Sequence, residues 1–334
     1  MKVSTLTTGE TKLILPRFGY QIIFAALVIT LAVSAVISKG RQAFLGISWP
    51  HSLPDIHESN FENTLITGYK WGIYDPEYKL INSDKLAFDH YFVSWQETPS
   101  RLDRKFKSTI NNNRWPMITI EPYPGPDLQK ENLLTDIIDH QYDSQIINYC
   151  QWLETQKHPA FIRWGHEMEN INGRYPWAVE DSQSYINAYR HFVSLCKQNY
   201  SQGFYIWSPV GHSELINYWP GVDYVDYIGI SLFIFTDWEI DHYNRVRPFT
   251  ELLDERYNLV KQYGKPVIIS EMGINGEPEF QLQWLEELFS NVNSNRYPHL
   301  KTLVYFNAPD LPEAWGSDYP VPDWRIAPDI FMQN

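Results

Sequence analysis

Short apolar runs and longer amphipathic stretches alternate along most of this chain. The runs at residues 71–74, 87–95, 116–121, 161–165, 204–207, 227–232, 267–270 and 303–306 are rich in β-branched and aromatic side chains and too short for helices. Between them, apolar residues recur at three and four positions, as in Ile146, Tyr149, Cys150 and Leu153, or Tyr185, Tyr189, Phe192 and Cys196. Leu253, Tyr257 and Val260 repeat the spacing, as do Phe280, Trp284, Leu285 and Leu288. Asp181 is placed to cap one helix and Gly264 to end another. Strands alternating with helices give a sheet with crossover helices, and eight strands are what a closed parallel barrel needs. The expected fold is an α/β barrel, (β/α)8, over residues 71–334.

The amino-terminal pattern differs. Residues 18–38 carry no charged side chain, close to the length that crosses a bilayer as a helix, and Lys2, Lys12 and Arg17 precede them. Residues 1–40 are therefore read as a cytoplasmic stub with a signal-anchor or a cleaved signal peptide, the anchor being preferred for its long preface. Residues 41–70 read as a lead-in connector. Either way the barrel is expected outside the cytoplasm, anchored to the membrane or secreted.

Composition adds three points. Of 334 residues, 16% are aromatic, and flat rings suit the faces of sugars, although most will be core. The net charge of -13 argues against a nucleic-acid partner, which would require clustered cations. Cys150 and Cys196, both in expected helices, are read as buried free thiols, with a bridge between them as the alternative. A monomer is expected.

The chemistry concentrates at two strand ends. The run Phe161-Ile162-Arg163-Trp164-Gly165 leads through His166 to Glu167, and Val267-Ile268-Ile269-Ser270 leads to Glu271 followed by Met272 and Gly273. In such a barrel the loops at the carboxyl ends of the strands build the active site, so two glutamates there suggest a facing pair. Glycosidic cleavage uses such a pair, one carboxyl protonating the leaving oxygen and the other attacking the anomeric carbon. Glu167 is read as the proton donor and Glu271 as the nucleophile, with Gly273 turning the chain away from the cleft. The two must then differ in pKa. His166 could reach the cleft or be a hydrogen-bonded core histidine. Glu121 could contact substrate or make a structural bond, and Trp315 could be a stacking platform. Arg163 is read as supporting the end of the barrel. No strand is followed by a phosphate-cradling glycine motif, and position 170 is Asn where a zinc protease motif needs a second His, so no cofactor and no metal are expected.

Arg163-Trp164-Gly165-His166-Glu167-Met168, continuing through Asn172-Gly173-Arg174-Tyr175-Pro176-Trp177, resembles the strand-four signature of glycoside hydrolase family 26, and Ser270-Glu271-Met272-Gly273 is similar to its nucleophile motif. The resemblance extends to residues 116–122, 207–209, 218–221, 227–229 and 323–325. It implies a retaining, endo-acting β-glycanase on a TIM barrel, without cofactor, its substrate a β-linked polysaccharide such as β-mannan, β-xylan or mixed-linkage β-glucan; the expected membrane anchor adds an exopolysaccharide of the same cell as a candidate. Within it, Trp177 is expected to line the cleft. One departure falls on strand six, where many mannanases place a tyrosine whose hydroxyl steadies the nucleophile and this chain has Phe233. The alternative is a non-catalytic glycan-binding or scaffold protein on a degenerate barrel.

Overall fold

A computed structural model describes residues 69–326 apart from residues 82, 126–131, 293–294 and 313. The expected anchor or signal segment and nearly all of the lead-in connector lie outside the described residues. Among the described residues, no helix is long and apolar enough to cross a membrane.

Eight parallel strands close into a barrel in chain order: β1 (Lys70–Tyr74), β2 (Leu86–Ser94), β3 (Trp115–Glu121), β4 (Ala160–Trp164), β5 (Gly203–Trp207), β6 (Tyr227–Ile234), β7 (Val267–Ile274) and β8 (Leu300–Phe306), which pairs back with β1. Each expected run lies within a strand or overruns its end by one residue. β4 is buried along its whole length, as a strand covered by side chains inside and helices outside must be. Among the described residues, the α-helices are α1 (Asp103–Asn111), α2 (Leu133–Ile138), α3 (Asp143–Gln156), α4 (Ser182–Asn199), α5 (Thr236–Tyr243), α6 (Phe249–Val260) and α7 (Pro278–Val292). Asp181 caps α4 by accepting from Ser184 N, and Gly264 follows α6 and a short 3-10 turn with φ 65°.

Packing sets one end of the barrel against the other. Near the starts of β2, β4, β5 and β6, Phe88, Phe161, Phe204 and Tyr227 lie against one another, Phe161 having its ring centroid 5.0 to 5.1 Å from each of the others. This aromatic plug fills the amino end. Farther along, the interior turns polar, with His90 Nε2 2.7 Å from Thr119 Oγ1 and Ser208 Oγ 3.0 Å from Ser270 Oγ. The plug leaves the carboxyl end as the open one.

Cys150 of α3 and Cys196 of α4 form a disulfide, with Cα atoms 5.3 Å apart, which corrects the reading as free thiols. The helical stripes were legible, but which stripe faces which depends on how the two helices pack side by side, and that brings the cysteines into bridging range.

Candidate active site

The chain after β4 turns sharply. Gly165 and Glu167 both take left-handed backbone angles, φ 54° and 57°. For glutamate this region is sparsely populated and costs about 1 kcal/mol or more, so the surroundings must impose it. They do so through Glu167 N, which donates to Ser208 O at 2.8 Å, and Glu167 O, which accepts from Asn170 N at 3.1 Å. The turn brings the Glu167 side chain to the wall of a cleft.

Glu271 reaches the same cleft differently. β7 does not end at the glutamate but runs to Ile274, and its register slips on both sides: Ile230 pairs with Ile269 and Ser231 with Glu271, while Ile269 pairs with Leu303 and Met272 with Tyr305. Such an irregularity re-aims side chains beside functional sites. Gly273, expected to turn the chain away, instead lies inside the strand, where a Cβ would come within 3.0 Å of the Phe233 ring.

Both glutamates line a cleft of about 750 Å³, together with Arg174, Tyr175, Ser231, Phe233, Asp310 and Trp315. They are only 8% and 6% exposed. The Ser231 hydroxyl donates to Glu167 Oε1 at 2.8 Å. Glu271 Oε1 lies 2.5 Å from Arg163 Nη1 in a buried ion pair. Arg163 is in turn fixed by Nε donating to Ser208 Oγ at 2.8 Å and Nη1 to Thr119 Oγ1 at 3.3 Å. Burial pushes the Glu271 carboxyl up to about 7, with Arg163 pulling it down and the charge of Glu167 adding to the rise. Arg174 is a further cation at the cleft, its Nη2 3.4 Å from Asp310 Oδ1 and its guanidinium 5.2 Å from the centre of the Tyr175 ring.

Of the remaining expected residues, Phe233 and Trp315 line the cleft. Phe233 packs against Phe306 and Trp324, and Trp315 donates from Nε1 to Asp310 Oδ2 at 3.0 Å. His166 and Trp177 do not line it, which corrects the cleft placement of Trp177 and leaves His166 with the second of its two readings, a hydrogen-bonded core histidine. Trp177 is fully buried, stacked on Tyr175 at 4.7 Å, and its Nε1 donates to His166 O. His166 bonds through Nε2 with the Tyr175 hydroxyl at 3.1 Å, and burial, reinforced by Arg163, Arg174 and His90, keeps its pKa well below the usual value. A neutral histidine and a tryptophan thus back the tyrosine that faces the cleft. Glu121 ends β3 without lining the cleft, and burial, then the charge of Glu271, push its carboxyl up to about 7.

Sequence reasoning missed Ser231 and Arg174. Ser231 is polar inside an otherwise apolar strand and shares the parity of Phe233, which was a usable signal; Arg174 sits on a loop, where no periodicity speaks. Away from the cleft, His140, Asp143 and His191 bring possible metal ligands within 4.8 Å of one another. There the Asp143 carboxylate accepts from both rings, at 3.0 and 2.6 Å.

The geometry is that of a barrel with two carboxyl groups facing one open cleft. No family model matches the sequence. Endoglucanase H of Acetivibrio thermocellus is 25% identical over 257 residues, 72% of this chain and 26% of that protein. A β-1,3-xylanase of an Alcaligenes species is 26% identical over 206 residues, 56% of this chain and 43% of that protein. The chain thus matches less than half the length of these curated relatives. Among solved structures, the catalytic domain of a family 26 endo-β-1,4-mannanase of Bacillus sp. JAMB-750 aligns with TM-score 0.58 at 14% identity, covering 72% of this chain and 77% of that one. A family 26 β-mannanase of Bacteroides ovatus aligns with TM-score 0.54 at 16% identity, covering 72% and 80%. The fold is therefore shared with glycoside hydrolases of the family that the strand-four motif resembles.

Proposed function

We propose that this protein is a retaining, endo-acting glycoside hydrolase that cleaves a β-linked polysaccharide outside the cytoplasm. The observation that carries the reading is the pair Glu167 and Glu271, buried at the wall of one cleft and each held by its own partner, Ser231 and Arg163. The names of its relatives, an endoglucanase, β-1,3-xylanases and β-mannanases, support β-glycans as the substrate class.

Glu271 in its ionised form, paired with Arg163, attacks the anomeric carbon while the proton of Glu167 moves to the departing oxygen, so the glycosidic bond breaks as a glycosyl ester forms. Glu167, now ionised, takes a proton from water. The hydroxide adds at the same carbon and releases Glu271. Two inversions retain the configuration. The open cleft suits internal cleavage of a chain.

Export is supported by the uncharged segment at residues 18–38, read as a signal-anchor or signal peptide, and by the Cys150–Cys196 disulfide, a bond that persists in oxidising compartments.

The test is hydrolysis of mannan, β-1,3-xylan, mixed-linkage glucan and exopolysaccharide by wild type, E167Q and E271Q. Each variant should keep its circular dichroism and lose turnover by about a thousandfold or more. The first product, followed by NMR, should carry the β configuration. Unchanged turnover in either variant removes its role; an α product makes the enzyme inverting.

A further inference from the structure

Arg256 is a cation at the cleft wall whose guanidinium makes no hydrogen bond or ion pair with any described residue. It stands on α6, and its stem passes against Gly211, where a Cβ would come within 2.7 Å of Arg256 Cγ and φ is 114°. Only glycine allows both the backbone angle and the passage. Glu169, itself buried, fixes that loop through Oε1, which accepts from Gly211 N at 2.8 Å and His212 N at 3.3 Å. The loop is thus shaped around an arginine that no described residue pairs.

Its neighbours are already engaged. Arg247 pairs with Glu239 at 2.7 Å and, through Nη1, with Glu255 Oε2 at 3.1 Å, so the ion pairs of both glutamates run to Arg247 rather than to Arg256. Burial pulls the Arg256 guanidinium down to about 10, with Glu167 the foremost opposing charge, so it remains a cation at neutral pH. A five-donor fork held this way costs free energy until an anion arrives, and its planar geometry suits oxyanions.

We propose that Arg256 forms a subsite for an anionic oxygen group, carboxylate or sulfate ester, on the sugar unit at the leaving-group side of the scissile bond. The assignment of side rests on the proposed role of Glu167 as proton donor. The substrate is then an acidic β-glycan. With a net charge of -13 the protein repels polyanions at long range, so sparse charge along the polymer fits better than dense charge.

The test compares kcat/KM on glucuronoxylan and xanthan with their carboxyl-reduced forms, and on a sulfated glycan with its desulfated form, for wild type, R256M and R256K. Wild type should prefer the charged member of at least one pair by about tenfold or more, a preference that shrinks as ionic strength rises. In R256M the ratio should fall to about one, and R256K should restore part of it. The carboxylate and sulfate pairs tell the two sources apart. A wild-type ratio of one, or a ratio unchanged in R256M, overturns the subsite. If R256M does not fold, the wild-type ratio and its salt dependence decide. Should wild type cut no member of any pair, the hydrolase reading loses its support, and calorimetry with glucuronate-bearing, sulfated and neutral oligosaccharides then decides the subsite alone: equal binding overturns it.

Discussion

Ser231 donates its hydroxyl to Glu167 Oε1 at 2.8 Å from the rung of the β6–β7 ladder that it shares with Glu271. One serine therefore ties the two carboxyl groups into a common frame. Glu167 comes from a left-handed turn after β4 and Glu271 from an irregular rung of β7, and neither backbone feature alone sets their relative position. Leaving a buried acceptor without its donor costs about 1 to 3 kcal/mol. Ser231→Ala should accordingly lower kcat/KM by about tenfold or more with little change in thermal stability, and Ser231→Thr, which keeps the hydroxyl, should recover part of the loss. Equal activity in the alanine variant would show that the turn alone positions Glu167.

The pH profile should follow Glu271. Its carboxyl is pushed up to about 7 and in the proposed mechanism must be ionised to attack, so kcat/KM should fall as pH drops through about 7. Arg163 acts against that rise. Arg163→Met removes the counter-ion and should move the acid limb to higher pH, whereas a merely structural arginine would leave the limb in place while lowering stability. Initial rates across a pH series for both proteins separate these outcomes.

Glu121 should appear in stability instead. Its folded carboxyl is raised from an ordinary 4.5 to about 7, so between those values the folded state binds more of this proton than the unfolded chain does. Its contribution is complete below about 4.5 and is lost as pH rises through about 7. Glu121→Gln removes the ionisation while keeping the shape, and at about pH 8 it should be more stable than wild type by about 3 kcal/mol. The difference should vanish towards pH 4.5, as denaturant melts at the two pH values would register.

The eight strands were legible because each is a short apolar run between amphipathic helices, a contrast that local sequence carries in full. The two glutamates were legible because they interrupt such runs at the carboxyl ends. What stayed hidden depends on distance in space. Trp177 looks like a cleft aromatic in a linear motif, yet Tyr175, two residues earlier, takes the cleft-lining position and stacks over it. Arg163 was read only as support for the barrel end, because its ion pair with Glu271 bridges β4 and β7 across the interior. The bulge in β7 was invisible since nothing in the run Ile268-Ile269-Ser270-Glu271 announces a slipped register.

The Cys150–Cys196 bridge closes a loop with sequence separation 46 between two helices that flank β4. Loop-closure entropy gives such a bridge about 4 kcal/mol at most, with 2 to 4 typical. The double variant C150A/C196A, or wild type in reductant, should melt several degrees lower by calorimetry while retaining activity at room temperature, since neither cysteine touches the cleft. A melting point that is the same with and without reductant would assign the stability of this helix pair to packing alone.

Behind Glu271 stands a relay that depends on a missing methyl. At Gly229 of β6, a Cβ would come within 2.4 Å of Ser208 Oγ and 2.9 Å of Ser270 Oγ. Those two hydroxyls lie 3.0 Å from each other, and Ser208 Oγ accepts from Arg163 Nε, the arginine paired with Glu271. A side chain at 229 would wedge the two serines apart in a fully buried layer, where overpacking costs about 1 to 3 kcal/mol. The displacement would then pass through Ser208 to the guanidinium and loosen its hold on the carboxylate. Gly229→Ala should therefore lower stability by that amount and also shift the acid limb of kcat/KM upward, in the direction expected of Arg163→Met. The paired shift is the diagnostic part, because an overpacked core with no link to the site would lower the melting temperature and leave the pH profile where it was.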